Sequence, residues 1–278
     1  MPGELSFDLV VATLGRVGEL SRFLDSLVAQ SHKGVRVIVV DQNPDDRLND
    51  ALDGVRLDVL RLRSEPGLSR ARNAALEHVT ADVVAFPDDD CLYPEGLLRL
   101  VAERLAARQE LDGLTGRVAD AAGLSSASWE TDRALLTRAN LWNRASSATV
   151  FLRRRVVEGV GRFDEQLGLG SGTPWHSGEE IDYLLRALGV GARIEYDPSL
   201  VVEHPLVPDD PSIGRRDGAT VGYLLRKHRY PLKTRARMLV RPLGGIALSL
   251  AGADLDRARY HAASFRGRLR GLRSKRAK

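Results

Sequence analysis

Three consecutive aspartates, Asp88, Asp89 and Asp90, follow the apolar run 82–86 and Pro87. Adjacent carboxylates at a strand end repel one another unless a cation or a set of donors offsets their charge. Hard oxygen ligands in a partly open site suit Mg²⁺ or Mn²⁺, ions that commonly hold diphosphates. The alternative is an acidic turn capping the helix expected near 94–105. The buried strand leading in, and Asp41 at a neighbouring strand end, favour the cation. A second acidic group, Glu179, Glu180 and Asp182, opens the apolar helical run 183–188. Acids in a first turn complement the helix dipole, but one of these carboxylates could equally be a general base for a hydroxyl. The glycine-rich approach 168–175 reads as a loop able to close over a substrate. It carries Trp175, which offers a flat face to a sugar or simply packs in a core.

These groups need a frame. Residues 7–13, 35–40, 57–62 and 82–86 are short apolar runs, and helical periodicity fills 19–29 and opens again at 67–73. Alternating near-continuous apolar strands and helices with short loops predict a Rossmann-like, mainly parallel α/β sheet flanked by helices on both faces. Such sheets bind ligands at the carboxyl ends of their strands. Thr13, Asp41 and Asp88 all stand at strand ends and should gather on one rim.

The 278 residues accommodate one large α/β domain with an appendage. A single cysteine, Cys91, excludes a disulfide framework and a multi-Cys zinc site and fits a reducing compartment. The first fifteen residues have neither the basic start nor the apolar centre of a signal peptide, and no stretch reaches the length of a membrane span. The overall charge of +4 hides an asymmetry. From Arg226 on, sixteen Lys and Arg stand against two acids, so the rest of the chain is acidic. A basic block of this kind marks a surface for polyanions, or a solvated tail. It lacks the interleaved aromatics of a nucleic-acid binder, so an anionic membrane surface is the expected partner and nucleic acid is not. No G-x-G-x-x-G follows a strand, which argues against a dinucleotide oxidoreductase. No glycine-rich basic loop follows the first strand, which argues against a sugar-nucleotide pyrophosphorylase.

Taken together, the opening strand with Val39-Val40-Asp41, the segment Glu65–Asn73 followed by Ala85–Asp90, and the pair Gly161–Glu165 and Gly178–Asp182 with Arg186 resemble the family 2 inverting glycosyltransferases of GT-A fold. The resemblance spans roughly residues 7–205. It implies a catalytic domain over 1–225, with a nucleotide half to about 110 and an acceptor half from 111, followed by a basic helical tail over 226–278. It implies a nucleotide-sugar donor, a glycan or lipid-linked acceptor, Mg²⁺ or Mn²⁺, and work in cell-envelope or exopolysaccharide synthesis from the cytoplasmic face of a membrane. Thr13, Asp41, Arg70 and Asp88 match nucleotide-holding positions. Asp89 and Asp90 match the metal end of the acidic DXD motif, and His204 matches a histidine that joins the metal in some members. Glu180 matches the base, with Glu179 and Asp182 as further candidates, and Trp175 is placed with the acceptor. Two positions depart from the family pattern: Gln42 stands where a second acid is common, and Glu179-Glu180 replaces Glu-Asp. A non-catalytic sugar- or nucleotide-binding relative and a basic-tailed nucleic-acid-binding protein remain as alternative readings.

Overall fold

The computed structural model describes residues 4–125 and 128–274. The chain forms two compact units, one of residues 1–163 and 183–206, the other of residues 164–182 and 207–278.

The first unit opens with three strands and two helices in alternation: β1 (Phe7–Thr13), α1 (Val17–Val28), β2 (Val35–Asp41), the single turn α2 (Asn49–Leu52) and β3 (Asp58–Arg63). Next come α3 (Leu68–Leu76), β4 (Val83–Ala85), α4 (Leu97–Ala107), β5 (Gly113–Ala119), β6 (Ala134–Leu135), β7 (Phe151–Arg153) and α5 (Arg154–Val160). Helix α6 (Glu179–Gly189) begins in the second unit and ends in the first, which closes with β8 (Ile194–Glu203).

The eight strands form one sheet in the order β3-β2-β1-β4-β7-β5-β8-β6. β3, β2, β1 and β4 run parallel, β7 is antiparallel to both its neighbours, β5 pairs parallel with β8, and the short β6 runs antiparallel at the edge. The expected mainly parallel, helix-flanked sheet is therefore present. Its apolar runs are buried because crossover helices cover both faces: Leu9, Val11, Val37, Val39, Val83 and Ala85 share a core with Leu20, Phe23, Leu24 and Leu27 of α1 and Leu98, Val101 and Leu105 of α4. The register aligns the strand ends. Thr13 pairs with Asp41, and Ala12 bridges Asp88.

The second unit contains the glycine-rich loop, the first turn of α6, and three helices, α7 (Pro211–Lys227), α8 (Leu232–Ala251) and α9 (Leu255–Arg273). The Asp210 side chain caps α7 by accepting from the backbone N–H of Ser212 and Ile213. Among the described residues no helix is long and apolar enough to cross a membrane.

A candidate active site at the strand ends

Asp88, Asp89 and Asp90 leave β4 at the rim of the first unit. Their partners come from four elements. Arg16, in the turn after β1, donates from one Nη1 to Asp89 at 3.0 Å and to Asp90 at 2.6 Å. Arg72 of α3 reaches Asp88 at 3.3 Å and also donates to the Ser147 hydroxyl. Its guanidinium is almost wholly buried, 5.5 Å from the Phe163 ring and 5.9 Å from the Phe86 ring. Asn73, next in sequence, donates to the Phe163 carbonyl and accepts its N–H. The Arg72-Asn73 pair thus ties the acidic segment to the Gly161-Arg162-Phe163 turn, although the two lie some seventy residues apart in the chain.

His204 arrives from the end of β8. Leu92, just after the aspartates, exchanges both backbone hydrogen bonds with Glu203, and this bridge sets the His204 ring 3.4 Å from Asp90 and 4.0 Å from Asp88. The Nδ1 atom lies 2.8 Å from the Pro205 carbonyl. A carbonyl only accepts, so Nδ1 is the donor in that pair and Nε2 faces the acids.

Burial pushes the Asp88 carboxyl up, against the pull of Arg72 and His204. Its side chain is still 28 % accessible, so this is a carboxylate enclosed by protein but reached by solvent. Burial also raises Asp89, to about 6, against the Thr13 hydroxyl and Arg16, which favour its ionised form. Two carboxyls held reluctantly charged beside a third are a site that gains from a cation. Among the described residues no ready-made cluster of three His, Cys, Asp or Glu side chains converges on one point. The donor types, carboxylate oxygens of Asp88 and Asp90 and the Nε2 of His204, are nonetheless those Mg²⁺ or Mn²⁺ accept, and they fit such an ion chemically.

The other expected nucleotide residues are placed as follows. Thr13 is buried at the end of β1. Asp41 is fully buried: one oxygen accepts the backbone N–H and side-chain amide of Asn43, the other accepts two donors of Arg61 and faces Arg63 at 3.1 Å. Burial works against its charge, but these donors hold its pKa below the usual carboxylate value. Gln42 accepts the Gly67 N–H at 2.7 Å and so fixes the start of α3. Arg70 is exposed on α3 and donates to the Pro66 carbonyl. Sequence reasoning singled out neither Arg72 nor Arg16. Arg72 sits two positions from Arg70 on the same helix, and only burial distinguishes them.

Glu179, Glu180, Asp182 and Trp175 belong to the second unit. Glu179 is buried and Glu180 half-buried. Asp182 is fully buried, with one oxygen 2.7 Å from His228 Nε2 and 2.5 Å from Lys227 Nζ. Burial disfavours charge on Lys227, but Asp182 and Asp164 more than offset it and hold its pKa above the ordinary lysine value. Gly178, at φ +78°, precedes these acids, and a Cβ there would meet Thr220 and Leu224 of α7 at 2.9 Å. Only glycine tolerates both the backbone and the contact. Trp175 is buried, its ring stacked on Tyr223 at 4.4 Å.

A doubly covered sheet with an acidic rim of this kind is the GT-A glycosyltransferase fold. The pattern of Glycosyl transferase family 2 matches residues 8–153, and the chain belongs to that family. It is 28% identical over 221 residues to the pre-mycofactocin glycosyltransferase of Mycobacterium tuberculosis, a match covering 73% of this chain and 43% of that protein, so the chain spans less than half the length of that relative. It is 27% identical over 272 residues to the succinoglycan biosynthesis protein ExoM of Rhizobium meliloti, covering 91% of this chain and 83% of that one. Among solved structures, the mannosyltransferase PcManGT of Pyrobaculum calidifontis, in complex with GDP-Man and Mn²⁺, superposes with a TM-score of 0.68 at 17% identity over 99% of this chain and 89% of that one. TarS of S. aureus in complex with UDP gives a TM-score of 0.61 at 17% identity, over 94% and 91%.

Proposed function

We propose that this protein is a metal-dependent inverting glycosyltransferase that moves a sugar from a nucleotide-sugar donor to a hydroxyl of a glycan or lipid-linked acceptor. The observation that carries the reading is the placement of the Asp88 and Asp90 carboxylates at the sheet rim, 4.0 Å and 3.4 Å from His204 and beside Arg72 and Arg16. Asp90 and His204, with Asp88 and Asp89 beside them, would hold Mg²⁺ or Mn²⁺, whose charge neutralises a departing nucleoside diphosphate. Thr13 and Arg70 contribute to the nucleotide side. Asp41 acts there by fixing Asn43, whose side-chain oxygen accepts the Gly15 N–H at 2.7 Å and so shapes the turn that carries Arg16.

Glu180 takes the proton of the acceptor hydroxyl as that oxygen attacks the anomeric carbon from the face opposite the diphosphate. The C–O bond to the diphosphate breaks as the new glycosidic bond forms, and the configuration inverts in this single displacement. Asp182 lies against Lys227 and His228 in the second unit, and Glu180 stands at the position that matches the family's base, with Glu179 as the further candidate. The catalytic part corresponds to residues 1–225 and the basic tail to 226–278. The relative from succinoglycan biosynthesis supports an acceptor in exopolysaccharide or envelope synthesis.

Contact with an anionic membrane surface is part of the same reading. Leu232, Ala236, Val240, Leu243, Ala247 and Leu250 are exposed at helical spacing on α8, and the exposed Lys233, Arg237 and Arg241 stand one position beyond the first three. A screen of nucleotide-sugar donors, followed by hydrolysis and transfer assays with Mn²⁺ or with chelator, tests the transferase. Asp90→Asn should abolish turnover while leaving the melting temperature unchanged. Full turnover of the wild type in chelator would sink the metal-dependent reading.

A further inference from the structure

Within the second unit, Pro174 and Trp175 of the glycine-rich loop and Arg266, Leu269, Arg270 and Arg273 of α9 line an open groove of 570 Å³. The three arginines recur at i, i+4 and i+7, so they project from one helix face. All three are exposed, and among the described residues none is ion-paired. Arginines earlier on the same helix differ: Arg257 faces Asp209 at 3.9 Å and Arg259 pairs with Asp256 at 3.0 Å. After Asp256 the chain has no further acidic residue, and no carboxylate lines the groove. Three like charges around one space repel unless an anion joins them, and guanidinium forks match the oxygens of phosphate groups. Apart from Ser274, the rest of the lining is apolar: Pro174 and Trp175 of the loop, and Leu269 between the arginines on α9. Trp175 is held flat against Tyr223, with 12° between the rings.

We propose that this groove binds an organic diphosphate ester. The diphosphate lies on Arg266, Arg270 and Arg273, and the apolar ester group lies against Trp175, Pro174 and Leu269. Trp175 stands five residues before Glu180 in the chain and in the same unit. Calling the bound ester the acceptor's anchor rests on the transferase reading above, whereas the binding itself does not.

Titration calorimetry on the full chain, in chelator so that metal-dependent nucleotide binding is silent, tests the site with two probes: inorganic pyrophosphate and geranyl diphosphate. Geranyl diphosphate should bind the more tightly. Arg270→Gln should weaken both probes by about 10-fold or more, the usual loss for a charge-assisted hydrogen bond, and the triple Arg266→Gln, Arg270→Gln, Arg273→Gln variant should bind neither. Leu269→Ala should weaken geranyl diphosphate alone. Metal-dependent UDP or GDP binding and the melting temperature should stay as in the wild type, because the three arginines are exposed. Geranyl diphosphate binding by the triple variant at wild-type strength would overturn the proposal, as would failure of the wild type to bind either probe. Equal affinity for the two probes would overturn its apolar half and leave a site for free phosphate. If these titrations succeed while donor turnover fails, the transferase reading falls and the diphosphate site stands.

Discussion

The guanidinium of Arg16 lies 2.6 Å from the carboxylate of Asp90, with the same nitrogen 3.0 Å from Asp89. A positive side chain thus sits on the acids proposed to hold a divalent cation, and the two compete for the same oxygens. Arg16 is about half exposed, so its hold is that of a surface ion pair. Arg16→Gln should therefore tighten Mn²⁺ binding by about two- to fivefold, the range such pairs support. Calorimetric titration of Mn²⁺ without nucleotide checks this. Unchanged or weaker affinity would mean that Arg16 does not compete with the ion.

Glu180→Gln should lower turnover by about 10²–10⁴-fold, the usual size of a lost general base, with donor affinity little changed. Asp182→Asn should behave differently. It removes the charge that faces Lys227 and His228 inside the second unit, so its main effect should be a lower melting temperature. Steady-state kinetics and thermal melts on both variants, with Glu179→Gln beside them, separate the roles. A dead Glu179→Gln with a near-normal Glu180→Gln would transfer the role to Glu179.

The frame of this site is legible in the sequence because buried parallel strands must be apolar throughout. The runs at 7–13 and 35–40 stand out for that reason, and their ends bring Thr13 beside Asp41. Element edges are less visible. The helix expected from Glu19 begins at Val17, and the strand expected over 57–62 is Asp58–Arg63, since a polar or charged residue fits either side of such a boundary. Long-range polar contacts leave no local pattern at all. Arg16 reads as a turn residue, and its placement on Asp89 and Asp90 depends on the Gly15–Asn43 hydrogen bond twenty-eight positions away. His204 lacks any periodic signal and is fixed by the Leu92–Glu203 bridge. The resemblance to a family pointed to His204 where residue chemistry alone could not.

Helices α7 and α9 run the same way and meet through glycines. A Cβ on Gly214, Gly218 or Gly222 would run into the backbone carbonyl of Tyr260, Ser264 or Arg268 respectively. Gly218→Ala should destabilise the protein by about 1–3 kcal/mol, the range for overpacking, despite the better helix propensity of alanine. Gly244 offers the contrast: it lies mid-helix in α8 with nothing within 4 Å of its would-be Cβ. Gly244→Ala should stabilise by about 0.5–1 kcal/mol. Urea denaturation of both variants reads the two signs, and a stabilising Gly218→Ala would show that the helices can separate at no cost.

The exposed apolar stripe on α8 sets up the final test. Val240 is 50% exposed, Leu243 45% and Leu250 54%, and Lys233, Arg237 and Arg241 lie beside this line. A helix of this composition gains by laying its leucines at the headgroup–acyl boundary while its cations face anionic lipid, each worth on the order of 1 kcal/mol near the surface and less with salt. The wild type should therefore co-sediment with vesicles rich in anionic lipid at low salt and release as salt rises. Leu243→Asp with Leu250→Asp should abolish binding at every salt concentration, because carboxylates would replace the inserting groups. Lys233→Gln with Arg237→Gln should instead weaken binding and flatten its salt dependence. The four side chains are exposed, so thermal melts should show all these variants folded. Wild-type protein that ignores anionic vesicles at low salt would remove the membrane from the proposed function, and the lipid-linked acceptor would then rest on the diphosphate titrations alone.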